Sequence, residues 1–296
     1  MPAPLRLGLA GAGRWGRNYI RTLAQLDGAR LAGVASRNRD TAALVPAGCR
    51  VVADWRELLD RSALDGLIIA TPPATHAEIA RAALGKGIAV LIEKPLALSA
   101  GEARGVLDAA RKSGAQAWVE HTHLFSPAFR ALKGLVARHG GAREIRAEAG
   151  NFGPYRRDVP VLWDWGPHDV AMCLDLLGER PASAAGTVER RDAGEGTQET
   201  VSIALSFPSG IPASISLSNA REKTRRFTVR CAGATLVYDD LKADKLTVDG
   251  GAIQVGAEPP LTVAVREFAA ALAQPPKDYR ELELGVAVVE TLAACE

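Results

Sequence analysis

"LRLGLAGAGRWGRNYI", residues 5–20, decides how the rest of the chain is read. Leu5 to Ala10 form an apolar run of strand length, and "RNYIRTLAQL" continues as a helix. Between them Gly11, Gly13 and Gly16 take the spacing G-x-G-x-x-G. Alone this spacing is a weak signal, because glycine is common in loops. The context is more specific: a strand precedes it, a helix opens on it, and a second strand, "ARLAGVAS", ends about 20 residues on. The glycines let the backbone approach a pyrophosphate, and the helix N-terminus offers free N–H groups and a partial positive charge. Gly11, Ala12, Gly13, Arg14, Trp15 and Gly16 are therefore expected to line a dinucleotide; the competing reading is a glycine-rich turn with no ligand.

The second strand ends in "ASRNR", where an acidic residue would hold both ribose hydroxyls of NAD. Ser36 and Arg37 stand there instead. A small hydroxyl and a guanidinium suit a 2′-phosphate, so NADP is the expected cofactor. NAD stays open, since Arg37 can also stack on adenine.

The alternation continues through "CRVVAD" (strand), "WRELLDR" (helix), "DGLIIATPP" (strand), "THAEIARAALGKG" (helix, Thr75 as N-cap), "IAVLIEKP" (strand), a helix capped by Ser99, and "AQAWVEH" (strand). Uniformly apolar strands alternating with helices mean a doubly wound parallel sheet covered on both faces, a Rossmann-type α/β unit. Ligands bind at the carboxyl edge of such sheets, where "GAGRWG", "TPPATH" and "EKP" all emerge. In "EKP", Glu93 and Lys94 leave a strand at that edge and Pro95 fixes the chain after them. A lysine there can hold a substrate hydroxyl and stabilise a developing alkoxide. A surface Glu–Lys pair is the plainer alternative, and the isomer of the Lys94–Pro95 bond is open.

From about residue 122 the pattern changes. After one more helix, "SPAFRALKGLVARHG", the segments "TVSIALSF" and "IPASISLSN" alternate apolar with small polar residues. Val201, Ile203, Leu205 and Phe207 face one way, Ser202, Ala204 and Ser206 the other, as in an antiparallel sheet with one buried face. Short strands follow in "RFTVRCAG", "ATLVYDD", "DKLTVDG" and "GAIQVG", then the helix "LTVAVREFAAALAQ". The expected division is 1–121, a dinucleotide-binding unit, and 122–296, a predominantly antiparallel open sheet with helices on one face, its closing helices free to return to the first unit. The flat Ser/Ala face invites a second subunit, as a homodimer or homotetramer.

Within this half, "VLWDWGPHDVAMCLDLLG", residues 161–178, opens a helix unusually. With Asp164 as N-cap, a helix from Trp165 to Leu177 ends at Gly178 and keeps Pro167 in its first turn, where a missing N–H costs nothing. Val170, Cys173, Leu174 and Leu177 form a buried stripe, while Asp164, His168, Ala171 and Asp175 share the opposite seam. Paired in this way, Asp164 and His168 point to a site, because histidine titrates near neutrality and serves as general base or acid. Trp163 and His121 are candidate substrate contacts, and Arg156 and Arg157, in the loop before the helix, are candidates for a substrate phosphate. His121 and His123 lack a third neighbour for a metal, so none is expected.

Bulk numbers restrict the rest. The 36 basic and 34 acidic side chains nearly cancel, so neither nucleic acid nor an anionic membrane is suggested. The four cysteines form no C-x-x-C pair and read as core residues of a reducing compartment. No secretory leader or membrane span is apparent, and a cytoplasmic protein is expected.

Together "GAGRWG", "TPPATH", "EKP", "VEHTHLFSPAFRALKGL", "DWGPHDVAMCLDLLG" and "LTVAVREFAAAL" resemble the Gfo/Idh/MocA oxidoreductases over nearly the whole chain. The resemblance implies NAD(P)-dependent hydride transfer at a carbon of a sugar, cyclitol or nucleotide-sugar, with Lys94, Asp164 and His168 acting at the substrate and no metal. It also implies that Thr71, Pro72 and His76 belong to the nicotinamide-side loop, beside Glu93 and Lys94. Many relatives carry an arginine pair where this chain has "HTHLF", a departure that bears on the substrate rather than on the chemistry. Either His168 or Lys94 can be the proton acceptor on this reading. The rivals are an NAD(P)-binding sensor without turnover and a reductase of a non-sugar acceptor. A sensor would have lost some of Lys94, Asp164 and His168, and this chain keeps all three.

Overall fold

A computed structural model describes residues 3–61, 63–153, 155, 159–192 and 196–296. In chain order the elements are β1 (Leu5–Ala10), α1 (Gly16–Leu23), β2 (Ala29–Ala35), β3 (Arg50–Val52), α2 (Trp55–Arg61), β4 (Gly66–Ile69), α3 (His76–Leu84), β5 (Ala89–Glu93), α4 (Ala100–Ser113) and β6 (Ala117–Glu120). They continue with α5 (Pro127–Arg138), β7 (Ala142–Phe152), α6 (Val161–Leu177), β8 (Ser183–Asp192), β9 (Thr197–Ser206), β10 (Pro212–Ser218), β11 (Ala220–Cys231), β12 (Thr235–Asp239), β13 (Leu246–Val248), β14 (Gly251–Ala252), α7 (Pro260–Ala271) and α8 (Arg280–Ala293). The chain divides into two compact units, one of residues 1–120 and 261–286, the other of residues 121–260 and 287–296.

The first unit is a six-stranded sheet in the order β3-β2-β1-β4-β5-β6, parallel throughout. That order reverses direction between β1 and β4, where open α/β sheets bind ligands beyond the strand ends. Leu7, Leu9, Val34, Ile68 and Leu91 of the strands pack with Tyr19, Ile20 and Leu23 of α1 and with Val265 and Phe268 of α7. Burial on both faces explains why these strands read as continuous apolar runs. Ser99 caps α4 as its position suggested, its hydroxyl accepting from Glu102 N. Thr75, in contrast, makes no side-chain cap to α3, because its hydroxyl turns back to Thr71 Oγ1 at 2.7 Å and Pro72 O at 2.8 Å.

The second unit carries an eight-stranded sheet in the order β14-β13-β12-β11-β7-β10-β9-β8. All described pairings are antiparallel except β7–β10. Ile145, Val201, Ile203, Leu205, Ile215, Leu217, Phe227, Val229 and Leu236 are buried, while Ser202, Ala204, Ser206 and Ser214 are exposed. The core face is covered by α6, which contacts β7, β9 and β10, and by α5, which contacts β12 and β13.

Helix α6 departs from expectation at its start. It begins at Val161 with Pro160 as its N-cap residue, so Asp164 lies within the helix and Pro167 is an interior proline. The cap comes from another strand: Glu199 of β9 accepts from Val161 N at 2.6 Å. Glu199 is buried, takes Arg190 Nε on its other oxygen at 2.7 Å, and is steadied by Asn219, whose Oδ1 accepts from Glu199 N at 2.7 Å. Removing this carboxylate strands a buried N–H and a guanidinium together. Glu199→Ala is expected to cost about 2–3 kcal/mol in urea unfolding. An unchanged midpoint would show that the helix does not depend on this cap.

The burial of α6 is also broader than one stripe. Val170, Cys173 and Leu174 are buried as expected, but so are Ala171 and Met172, while Leu177 is only half-buried. Asp164, His168 and Asp175 keep partial exposure. At its far end Gly178 takes the left-handed conformation at φ 66°.

Candidate active site

In the first unit the turn after β1 is built around two glycines for different reasons. Gly11 has φ 95°, and a Cβ there would lie 2.5 Å from Ala70 O. A Cβ on Gly16 would lie 2.1 Å from Gly11 O, so the helix can start against the turn only without a side chain. Gly13 differs from both: a Cβ there would meet nothing within 4 Å. Its bareness serves no internal packing and leaves open backbone at the mouth of α1, which has no side-chain cap. Open backbone at an uncapped helix start suits a pyrophosphate.

Ser36 leaves β2 with its backbone N bonded to Val52 O at 2.8 Å. Its hydroxyl accepts from Thr41 Oγ1 at 2.8 Å and from Asn38 N at 3.2 Å, which leaves its own proton to donate. Arg37 beside it is exposed.

The loops after β4 and β5 are tied together by His76. It is buried, with Nδ1 2.8 Å from Pro95 O and Nε2 2.8 Å from Thr71 O. Burial pulls its pKa down, against the two carbonyls, and the Lys94 charge adds to the lowering. With both ring nitrogens engaged by backbone, His76 acts as a clamp between the two loops. Thr71 is half-buried and Pro72 exposed at the same edge.

Glu93 is buried too. Its Oε1 accepts from Tyr19 OH at 2.7 Å and its Oε2 from Lys94 N at 3.2 Å. Burial pushes its pKa up to about 7, with Tyr19 and Lys94 opposing. The carboxyl therefore braces α1 and the glycine turn from inside, and Trp15, with Arg14, keeps its exposed side outward. Lys94 is half-buried, and its bond to Pro95 is cis.

In the second unit, Asp164 and His168 stand one turn apart on α6. The 3-10 turn Thr122–Phe125, which follows β6, brings His123 against them: the His123 and His168 rings meet edge to face, centroids 5.1 Å apart. His121, just before that turn, is buried. Trp163 is buried, and its Nε1 donates to Glu296 Oε1 at 2.6 Å. Its neighbour Trp165 is the half-buried member of the pair, with the Arg225 guanidinium 4.9 Å from its ring centroid. Arg156 and Arg157 lie outside the described residues.

Arg225 and Asp169 were not singled out from the sequence. Arg225, on β11, donates to Thr224 O at 2.9 Å and feels the charges of Asp169, Asp164 and Asp240, although burial lowers its pKa. Asp169 is buried, and its Oδ2 has no hydrogen-bond partner among the described residues. Desolvation pushes its pKa up to about 7 against the pull of Arg225.

The folded state therefore holds a proton on Asp169 that the unfolded chain releases near pH 4. Stability from this group is full below that pH and is lost as pH rises through 7. Between pH 5 and pH 8 the wild type should lose about 2–3 kcal/mol more than Asp169→Asn in urea unfolding. Parallel losses in the two proteins would contradict the assignment.

A parallel sheet with an open glycine turn at its switch point is thus joined in one chain to a sheet whose helix bears D-x-G-x-H. The chain belongs to the Gfo/Idh/MocA family: the profile described as "Oxidoreductase family, NAD-binding Rossmann fold" matches residues 5–121, and that of the GFO/IDH/MocA C-terminal domain matches residues 130–237. It is 32% identical over 180 residues to UDP-N-acetylglucosamine 3-dehydrogenase of Acidithiobacillus ferrooxidans, covering 60% of this chain and 56% of that one. It is 29% identical over 291 residues to 4-carboxy-2-hydroxymuconate-6-semialdehyde dehydrogenase of Sphingobium sp. SYK-6, covering 90% of each. A crystal structure of a protein from Magnetospirillum magnetotacticum MS-1, provisionally assigned as an oxidoreductase, superposes with a TM-score of 0.95 at 48% identity, covering 99% of this chain and 100% of that one. No helix among the described residues is long and apolar enough to cross a membrane, and no cluster of three or more metal-ligating side chains occurs among them.

Proposed function

We propose that the protein is an NADP-preferring dehydrogenase that oxidises a secondary hydroxyl of a sugar, cyclitol or nucleotide-sugar, or reduces the matching ketone. The observation that carries this reading is the pairing, in one chain, of the open backbone at Gly13 with the half-exposed Asp164 and His168 of α6.

The bound nicotinamide supplies a hydride acceptor or donor. The chain supplies the rest. His168 takes the hydroxyl proton as the carbon loses its hydride, so that the C–O bond becomes a carbonyl. Lys94 holds the same oxygen with its positive charge, and Asp164 orients the base. Two supports favour this substrate class: the named activity of the Acidithiobacillus relative, and the retention of all three polar groups. The Sphingobium relative, which matches across 90% of both chains, favours a second reading, a semialdehyde substrate oxidised through its hydroxyl-bearing form. The exposed Ser/Ala strip of β9 and β10 supports self-association through the sheet, and light scattering of the purified protein reads the subunit number.

The test is a panel of nucleotide-sugars, free sugars, cyclitols and aromatic semialdehydes, each with NADP and with NAD, following formation of reduced nicotinamide. Turnover of a nucleotide-sugar or cyclitol supports the first reading, and turnover of semialdehydes alone supports the second. For the cofactor, Arg37→Ala should weaken NADPH binding by about tenfold and leave NADH nearly unchanged. Equal losses for both would remove the basis of the NADP preference.

A further inference from the structure

We propose that Tyr238 and His123 form a brace that fixes the ring of His168, so that both are positioning residues for its proton transfer. The brace is a statement about the sheet unit itself, and only its catalytic consequence rests on the role given to His168 above.

The brace is legible from its contacts. Tyr238, on β12, is buried, with its ring tilted against Phe129, which in turn meets Phe227 edge to face at 5.8 Å. Its hydroxyl lies 3.0 Å from His123 Nδ1, a hydrogen bond that holds the imidazole by one edge. Burial, reinforced by the Asp240 charge, keeps the phenol protonated throughout the working range, so the partner of Nδ1 stays a neutral hydroxyl.

That fixed ring meets His168 edge to face, with 79° between planes. It also meets Tyr238 at 5.8 Å and 72°, so it is held between the phenol and the proposed base. The charged and titratable groups around this set are Asp164 and Asp169 on α6, Arg225 on β11, and Asp240, which is paired with Lys245. A base that must receive a proton along one direction gains from a neighbour that stops its ring from turning. Tyr238 lies 115 residues from His123 in sequence, which hides the arrangement from any local pattern.

The experiment is imidazole nitrogen NMR on the full-length protein labelled at histidine, as wild type and as Tyr238→Phe. The phenylalanine keeps the packing against Phe129 and removes only the hydroxyl. In the wild type, His123 Nδ1 should give a signal displaced by its hydrogen bond to the phenol. In Tyr238→Phe that displacement should be lost and the His168 resonances should move. With a substrate in hand, kcat should fall about tenfold with the KM for dinucleotide unchanged. His123→Asn, a change in a half-buried turn, should reproduce the kcat loss and the His168 shift if Tyr238→Phe folds poorly. A His123 Nδ1 signal unchanged by Tyr238→Phe, or His168 signals indifferent to both substitutions, would overturn the brace. Turnover that survives His168→Asn while the NMR signature is present would sink the catalytic reading and leave the brace standing.

Discussion

His168→Asn lowers kcat/KM by about a thousandfold and leaves the dissociation constant of NADPH within twofold of the wild type, as expected for loss of a general base. Asparagine keeps a polar group of similar reach but cannot take a proton at neutral pH. Nicotinamide fluorescence titration reads the binding half of this prediction, and steady-state rates read the other. The two halves separate because His168 belongs to α6, whereas the dinucleotide is proposed to bind at the turn after β1. Lys94→Met should lose a comparable factor if the proposed role of this cation on the reacting oxygen holds. If His168→Asn retains most of the activity and Lys94→Met none, the lysine is the proton acceptor, the alternative that the residue types alone left open.

The second large effect concerns the glycines, and its two arms have opposite signatures. Gly16→Ala sets a methyl group 2.1 Å from Gly11 O, a contact that only a backbone shift can relieve. It should cost about 2–3 kcal/mol of stability and weaken dinucleotide binding with it. A Cβ at Gly13 meets no atom within 4 Å, so Gly13→Val should leave the unfolding midpoint nearly unchanged. It should still lose about a hundredfold in NADPH affinity, because the new side chain occupies the space through which a pyrophosphate approaches. A Gly13→Val protein that binds normally would mean that the ligand lies elsewhere.

The parallel sheet was readable because its strands are buried on both sides and its turns carry glycines whose reasons are local. The sheet of the second unit was less so. Strand β7 turns Ile145, Ala147 and Ala149 inward between Glu144, Arg146 and Glu148, and alanine gives alternation too little contrast to mark a strand. Strand β8 lies at the sheet edge and offers only Val188 as a large apolar residue. The helix α8 continues past the point where the apolar repeat of α7 suggested a last helix.

The candidate site was legible in its residue types and not in its supports. Asp164 looked like a cap because aspartate before an apolar repeat usually is one, whereas the actual cap, Glu199, is 38 residues from the Val161 N–H it receives. Trp163 and Trp165 are two positions apart on a helix and point to nearly opposite sides, so composition could not say which faces the core. His76 and Glu93 were found by position in their loops, but the sequence could not show that a ring bridges two carbonyls or that a carboxyl reaches back to Tyr19.

The most direct measurement is a fluorescence titration of the purified protein with NADPH and NADH, run beside Gly13→Val. The account predicts saturable binding, tighter for NADPH, that the valine abolishes in a protein of unchanged unfolding midpoint. Binding of neither dinucleotide to the wild type, or equal binding to both proteins, would contradict it.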